Sequence, residues 1–177
     1  MFEFGENSNI IIALLHILFT FFISFYAFIT KKSWLDYVYI IYTFLIILSW
    51  TFYNGECFIT YYYKKQENTD YIAGEDCTDI SDIDDLLFNS KELTFTIITI
   101  SIFLLAISEF IVLKRNNFSK YLYFSFPLCE IIYTMLLRTQ NKLYENKSFL
   151  FLQDIFKFYF IISLLYILIT IIRRNYK

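Results

Sequence analysis

Five apolar runs, each about as long as a bilayer is thick, constrain this chain more than any other feature. They cover Asn9–Thr30, Tyr37–Cys57, Leu93–Leu113, Tyr121–Leu137 and Phe149–Ile172, and Ile, Leu, Phe and Tyr dominate them. A helix of about 20 apolar residues crosses roughly 30 Å of hydrocarbon. The expected fold is therefore all-α, a transmembrane helical bundle of five spans. The fourth run is shorter and holds Pro127, Cys129 and Glu130. A proline inside a span removes a backbone donor and can kink the helix. Four spans plus a re-entrant segment are thus the alternative.

The chain is 58% hydrophobic, against about 45–50% for a soluble domain. Five spans use most of its 177 residues, so residues 1–177 are expected to form a single transmembrane domain. The lipid bilayer is the first expected partner. A net charge of −2 without a Lys/Arg cluster gives no footing for nucleic acid. The 22 Phe and 16 Tyr accompany scarce Gly and Pro, a pattern of AT-rich codons rather than of an aromatic ligand cage. Met1–Asn9 carries Glu3 and Glu6 and no basic residue, which is unlike a secretory signal, and the first run reads as a retained span.

Lys and Arg in short flanks set orientation. With the N-terminus outside, Lys31, Lys32, Lys114, Arg115, Lys120, Arg173, Arg174 and Lys177 are cytoplasmic, and Lys64, Lys65, Lys91, Arg138, Lys142 and Lys147 are not. Eight against six favours N-terminus out and C-terminus cytoplasmic. Asp154 and Lys157 stand three residues apart near the start of the last run and are expected to pair on one helix face.

Residues 64–92 form the one sizeable extramembrane loop, basic at Lys64 and Lys65 and acidic from Glu67 through Asp85. Ser81 and Asp84 have capping-box spacing before Leu86-Leu87-Phe88. Ile80, Ile83 and Leu87 recur at helical spacing, so a short amphipathic helix is expected on the membrane or the bundle. The acidic residues do not follow the calcium-loop template, and this helix reads as a solvated acidic face rather than a metal site. It is also the expected surface for a protein partner.

Ionisable groups inside a bilayer cost about 3 kcal/mol and mark functional candidates. His16, Glu56, Glu109 and Glu130 qualify. Glu109 stands one turn before Lys114-Arg115 and is expected to snorkel toward the interface or pair with them. His16 is the only histidine, and a lone intramembrane histidine is expected to make one interhelical hydrogen bond. Glu130 lies nearest mid-membrane and suits a proton- or ion-linked role. The candidate intramembrane polar site is His16, Asn54, Glu56 and Glu130, with Gly55 between Asn54 and Glu56 allowing the backbone to unwind.

The stretch Trp50…Asn54-Gly55-Glu56-Cys57-x-Ile59-Thr60-Tyr61-x-x-Lys64-Lys65, followed by Tyr71-Ile72-x-Gly74, resembles a group of small uncharacterised polytopic membrane proteins of large nucleocytoplasmic DNA viruses. The resemblance covers residues 37–85 and implies a viral membrane protein, with no activity attached. A fainter likeness is to small bacterial membrane proteins with a histidine on the first span and a Cys-Pro-Leu-Thr stretch, where Phe58 replaces the proline.

Cys57 and Cys77 both fall outside in the N-out arrangement, where a disulfide between them would persist. Cys129 reads as an apolar packer. Asn146-Lys-Ser148 is a sequon that sits almost on the membrane and is expected to be unmodified. No Cys-x-x-Cys, Walker loop, Gly-x-Ser-x-Gly, His-Glu-x-x-His or potassium filter occurs. No metal or other cofactor is therefore expected. Three readings remain: a structural or interaction protein of a membrane, which leads; a small proton- or ion-linked transporter or channel; and a membrane-embedded lipid-modifying enzyme with His16 or Glu56 as base.

Overall fold

A computed structural model describes residues 6–77, 79–87, 90–138 and 145–175. Glu3, Phe88, Lys142 and Lys177, used above, lie outside the described residues. Regular structure among the described residues is entirely helical: α1 (Glu6–Ile29), α2 (Leu35–Phe52), α3 (Phe58–Glu67), α4 (Ser81–Leu86), α5 (Lys91–Arg115), α6 (Lys120–Arg138) and α7 (Lys147–Asn175).

Four stretches among the described residues are long and apolar enough to cross a membrane: Ile10–Ile29, Leu35–Phe52, Lys91–Arg115 and Lys147–Arg174. Five had been expected. The fourth run forms α6, a helix continuous through Pro127, but Lys120, Glu130 and its Ser, Thr and Tyr residues leave it less apolar than the others. The second run is also shorter than expected. α2 stops at Phe52 rather than Cys57 because Asn54 (φ 50°) and Gly55 (φ 97°) take left-handed backbone, which a right-handed helix cannot contain.

The bundle buries small hydroxyl residues at helix contacts within an apolar core and turns apolar side chains outward. α1 packs along α5 through small hydroxyl residues. Ser24 donates to the Ser101 carbonyl (2.9 Å), Ala27 N–H donates to Ser108 Oγ (3.1 Å), and Tyr39 of α2 donates to the same oxygen (2.8 Å). A second packing centre joins α2, α6 and α7. Phe44 stacks on Phe126 with ring centroids 3.4 Å apart, and Phe126 meets Phe160 edge-on at 5.5 Å. Outward lie Leu14, Leu18, Phe22, Ile107, Phe158 and Ile162, each about half exposed. An apolar surface of that extent marks contact with lipid.

One end of the bundle is closed by a charge knot. Fully buried Asp36 accepts from Arg115 Nε (2.8 Å) and Nη2 (2.5 Å), Asn116 Nδ2 (2.6 Å) and the Tyr26 hydroxyl (3.0 Å). Arg115 also donates from Nη1 to the Thr30 carbonyl (2.7 Å), tying the end of α1 to the end of α5. The other end carries α3 and α4. α4 packs against α1 and α3, and its Ile83 is fully buried. The expected capping box is not formed, since Ser81 Oγ donates to Asp79 instead (3.4 Å). The expected Asp154–Lys157 pair is present at 3.2 Å. Asn146 accepts from Ser148 N–H and Phe149 N–H, both at 3.1 Å, and so caps α7.

Candidate functional site

The turn after α2 is built around Asn54. Its Nδ2 donates to the Ala73 carbonyl (2.8 Å), its carbonyl accepts the Cys77 S–H (3.1 Å), and its Oδ1 accepts from Gln153 of α7 (3.4 Å). Gly74 lies so close that a Cβ there would sit 2.6 Å from Asn54 Cβ. At Gly55 a Cβ would run into the Leu137 side chain and lie 3.3 Å from Cys77 Sγ. Both glycines therefore hold a close approach as well as positive φ. The result is a fixed turn that delivers Cys57 to the N-cap of α3.

Cys57 Sγ lies 3.5 Å from His16 Nε2, and His16 Nδ1 lies 2.6 Å from Asp82 Oδ2. Thr60, three residues on from Cys57, donates to the other Asp82 oxygen (2.9 Å). Asp82 is fully buried and Thr60 nearly so. A carboxylate only accepts, so His16 turns an Nδ1–H to Asp82 and its Nε2 to the thiol. The first turn of α3 leaves the N–H groups of Phe58, Ile59 and Thr60 without intrahelical acceptors, and the Cys57 side chain does not cap them. A thiol, an imidazole, an orienting carboxylate and free backbone donors are thus gathered within one small volume.

Of the four residues expected to share a polar site, the structure brings His16, Asn54 and Glu56 to the same end and leaves Glu130 apart. Asn54 shapes the turn rather than meeting His16. Glu56 heads a separate buried cluster: the Tyr71 hydroxyl donates to its Oε1, and Lys64 donates to that oxygen (3.4 Å), to Tyr71 Oη (3.2 Å) and to the Asp76 carbonyl (2.6 Å). Burial pushes the Glu56 carboxyl above the usual range, against the opposing pull of Lys64 and Tyr71. Glu130 faces Glu109, not the His16 site. Glu109 does not pair with Lys114 or Arg115, because Arg115 is held by Asp36. The four carboxylate oxygens of Glu109 and Glu130 lie buried without well-formed hydrogen bonds.

His16 makes the expected interhelical hydrogen bond, to Asp82 of α4, and its other ring nitrogen meets Cys57. The acidic helix is not a solvated face, because Asp82 and Asp84 are buried against the bundle. Asp82 and Thr60 were missed as site residues. The available signal was the apolar spacing of Ile80 and Ile83, which seats α4 on the bundle and carries Asp82 inward with it. No group of three or more potential ligands positioned to hold a metal occurs among the described residues.

The Cys57–Cys77 disulfide is not formed in the structure, and each sulfur is engaged elsewhere. The two thiols differ in kind. Burial and the nearby Glu56 carboxylate push the Cys77 thiol up from the ordinary 9 to about 12. Three pH units leave Cys77 about a thousandfold less thiolate than an ordinary cysteine at neutral pH. A maleimide pulse on the folded protein in detergent is expected to label Cys57 well ahead of Cys77, read by peptide mass. Equal labelling of the two would contradict this difference.

Compared with protein-family models, curated proteins and solved structures, the chain matches none.

Proposed function

We propose that this is a membrane-embedded acyl-transfer enzyme with Cys57 as nucleophile, His16 as general base and Asp82 as the residue that orients the imidazole. The observation that carries this reading is the continuous chain Cys57 Sγ–His16–Asp82, the nucleophile–base–orienter arrangement of covalent catalysis. Mere packing would require only that these groups be satisfied. It would not require a thiol on one imidazole nitrogen and a carboxylate on the other.

In the first step His16 Nε2 takes the Cys57 proton as sulfur attacks the carbonyl carbon of an ester or thioester. A C–S bond forms, the carbonyl oxygen becomes an oxyanion, and this reading assigns the uncapped N–H groups of the first α3 turn as its donors. The oxyanion collapses, the alkoxide or thiolate leaves, and it takes the proton back from His16. In the second step a water or alcohol acceptor attacks the acyl-thioester, His16 again relays the proton, and Cys57 is released. Donors aimed at such an oxyanion contribute about 3–4 kcal/mol in other acyl-transfer enzymes.

The same reading takes α6 as a fifth crossing. Its start adjoins the Asp36–Arg115 end through Phe118 and Leu122 of the core, and its end reaches Gly55 through Leu137. With the Lys and Arg bias of the flanks, this arrangement puts the thiol at the non-cytoplasmic face. Viral origin stays part of the proposal, resting on the resemblance of residues 37–85. The exposed Glu67, Asp70 and Asp85 are the surface we assign to a protein partner.

The test uses the full chain in detergent with p-nitrophenyl octanoate. A stoichiometric burst of p-nitrophenolate is expected, with the octanoyl group mapped to Cys57 and no burst from Cys57→Ala. Absence of a burst in the wild type, or an equal burst in Cys57→Ala, would overturn the assignment.

The Glu109–Glu130 pair favours a second reading, proton-linked transport. Two carboxyls in contact can share one proton between them, and intramembrane carboxyls line proton paths. In proteoliposomes carrying an internal pH dye, this reading expects a proton flux that is lost in Glu130→Gln. Unchanged flux in that variant removes Glu130 from any such path.

A further inference from the structure

Cys57 lines a crevice with a cavity volume of about 130 Å³, partly open to its surroundings and walled by α1, α2, α3, α5 and α6. His16, Cys57 and Thr60 line it, as do Thr20, Ser24 and Ser101, with the Ser24 hydroxyl turned onto the Ser101 carbonyl. Most of the exposed lining is apolar, with Phe19 and Ile23 on α1, Ile46 on α2, and Ile102 and Leu105 on α5. α1 packs along α5 while α2 packs along α7, and residues of α1, α2 and α5 line the crevice. Phe19 and Tyr42, both exposed on the outer side, meet edge to face with ring centroids 5.0 Å apart along its wall.

The depth has a definite scale. His16 and Ile23, seven residues apart on α1, are about 10 Å apart along the helix axis. An extended hydrocarbon chain advances ~1.3 Å per carbon, from C–C bonds of ~1.5 Å. About eight carbons therefore run from the thiol to the level of Ile23 and Leu105. A polar head at a nucleophile and an apolar trough leading into the bundle match an amphiphile with a reactive carbonyl at one end.

We propose that the crevice seats the hydrocarbon tail of a medium- or long-chain acyl donor, its carbonyl at Cys57 Sγ and its tail directed toward the membrane interior. This rests on the acyl-transfer reading above and adds the substrate class. Short acyl groups reach the thiol but leave the trough unfilled. Chains of about eight carbons or more fill it, and longer ones continue outward between the helices. The acyl group comes either from an acyl thioester or from a membrane glycerolipid, and both present the same carbonyl and tail.

The experiment compares p-nitrophenyl acetate, octanoate and laurate on the full chain in one detergent, scored by acyl adducts on Cys57. In wild type, octanoate and laurate are expected to acylate at least tenfold faster than acetate. Ile102→Trp and Ile46→Trp each narrow the trough from a different helix, at half-buried positions outside the catalytic groups. Each is expected to lower the laurate-to-acetate ratio at least tenfold. Taking the ratio within one detergent cancels donor partitioning, and the acetate rate reports that each variant is folded.

If acetate acylates Cys57 but the wild-type ratio is near one, or neither variant changes it, the tail assignment is overturned and the acyl-transfer reading stands. If no donor acylates Cys57, both fall. Two further arms name the source. Adducts from palmitoyl-coenzyme A in detergent support a thioester donor, and adducts in phosphatidylcholine nanodiscs without added donor support a lipid donor. A palmitoyl or lipid-derived adduct in neither arm counts against the long-chain assignment.

Discussion

Asp82→Asn is expected to slow acylation of Cys57 by p-nitrophenyl octanoate by about four orders of magnitude while leaving the helices in place. The amide would no longer hold the proton of His16 on Nδ1, and the tautomer with Nε2 protonated cannot accept the Cys57 proton. Loss of that control in other nucleophile–base–acid centres costs about this much. Thr60→Val removes one hydrogen bond to Asp82 and should cost far less, because Asp82 keeps its bond to His16. Asp70→Asn, on an exposed residue far along the connection, is the matched charge control and should leave the rate unchanged. A stopped-flow burst assay separates these outcomes. An Asp82→Asn rate within tenfold of wild type would mean that the carboxylate does not steer the imidazole.

Asp36→Ala is expected to lower stability by about 3 kcal/mol, near the lower end for breaking a buried ion pair. The lower end applies because the Arg115 side chain keeps 17% of its exposure and can recover some hydration, whereas Asp36 has none. Four donated hydrogen bonds from Arg115, Asn116 and Tyr26 lose their acceptor at once. The double variant Asp36→Leu with Arg115→Met should be less damaging than Asp36→Ala alone, since no uncompensated charge remains. Denaturant titration in mixed micelles reads both. A loss under about 1 kcal/mol for Asp36→Ala would show that the knot does not hold the bundle end closed.

Much of the scaffold was legible because hydrophobic length is a local property. Four of the five apolar runs became helices long and apolar enough to cross a membrane. Asp154 and Lys157 paired as their spacing required, and Ile80 and Ile83 announced α4. The site was legible only in pieces. His16 and Cys57 were both singled out, the first as a packing histidine, a member of the polar site or a base, and the second as half of a disulfide. Their junction depends on residues 41 positions apart, and the bond to Asp82 spans 66.

Helical spacing names neighbours within one element. It does not say which surface a six-residue helix will dock against. Asp82 was hidden by its company, because a carboxylate among many acidic residues looks hydrated until the docking of α4 buries it. Glu109 was misjudged for the opposite reason. Lys114 and Arg115 are near in sequence, yet Asp36, 79 positions away, takes Arg115 first.

The steering carboxylate does not ride on a span. It sits on α4, a six-residue helix hung between two connections. Insertion of the long helices can therefore precede completion of the chemistry. A chain newly threaded into its bilayer would hold an idle sulfur beside an unaligned ring until that small helix settles. A single protease nick between Glu67 and Ile80 should return it to idleness, with every span still in its place.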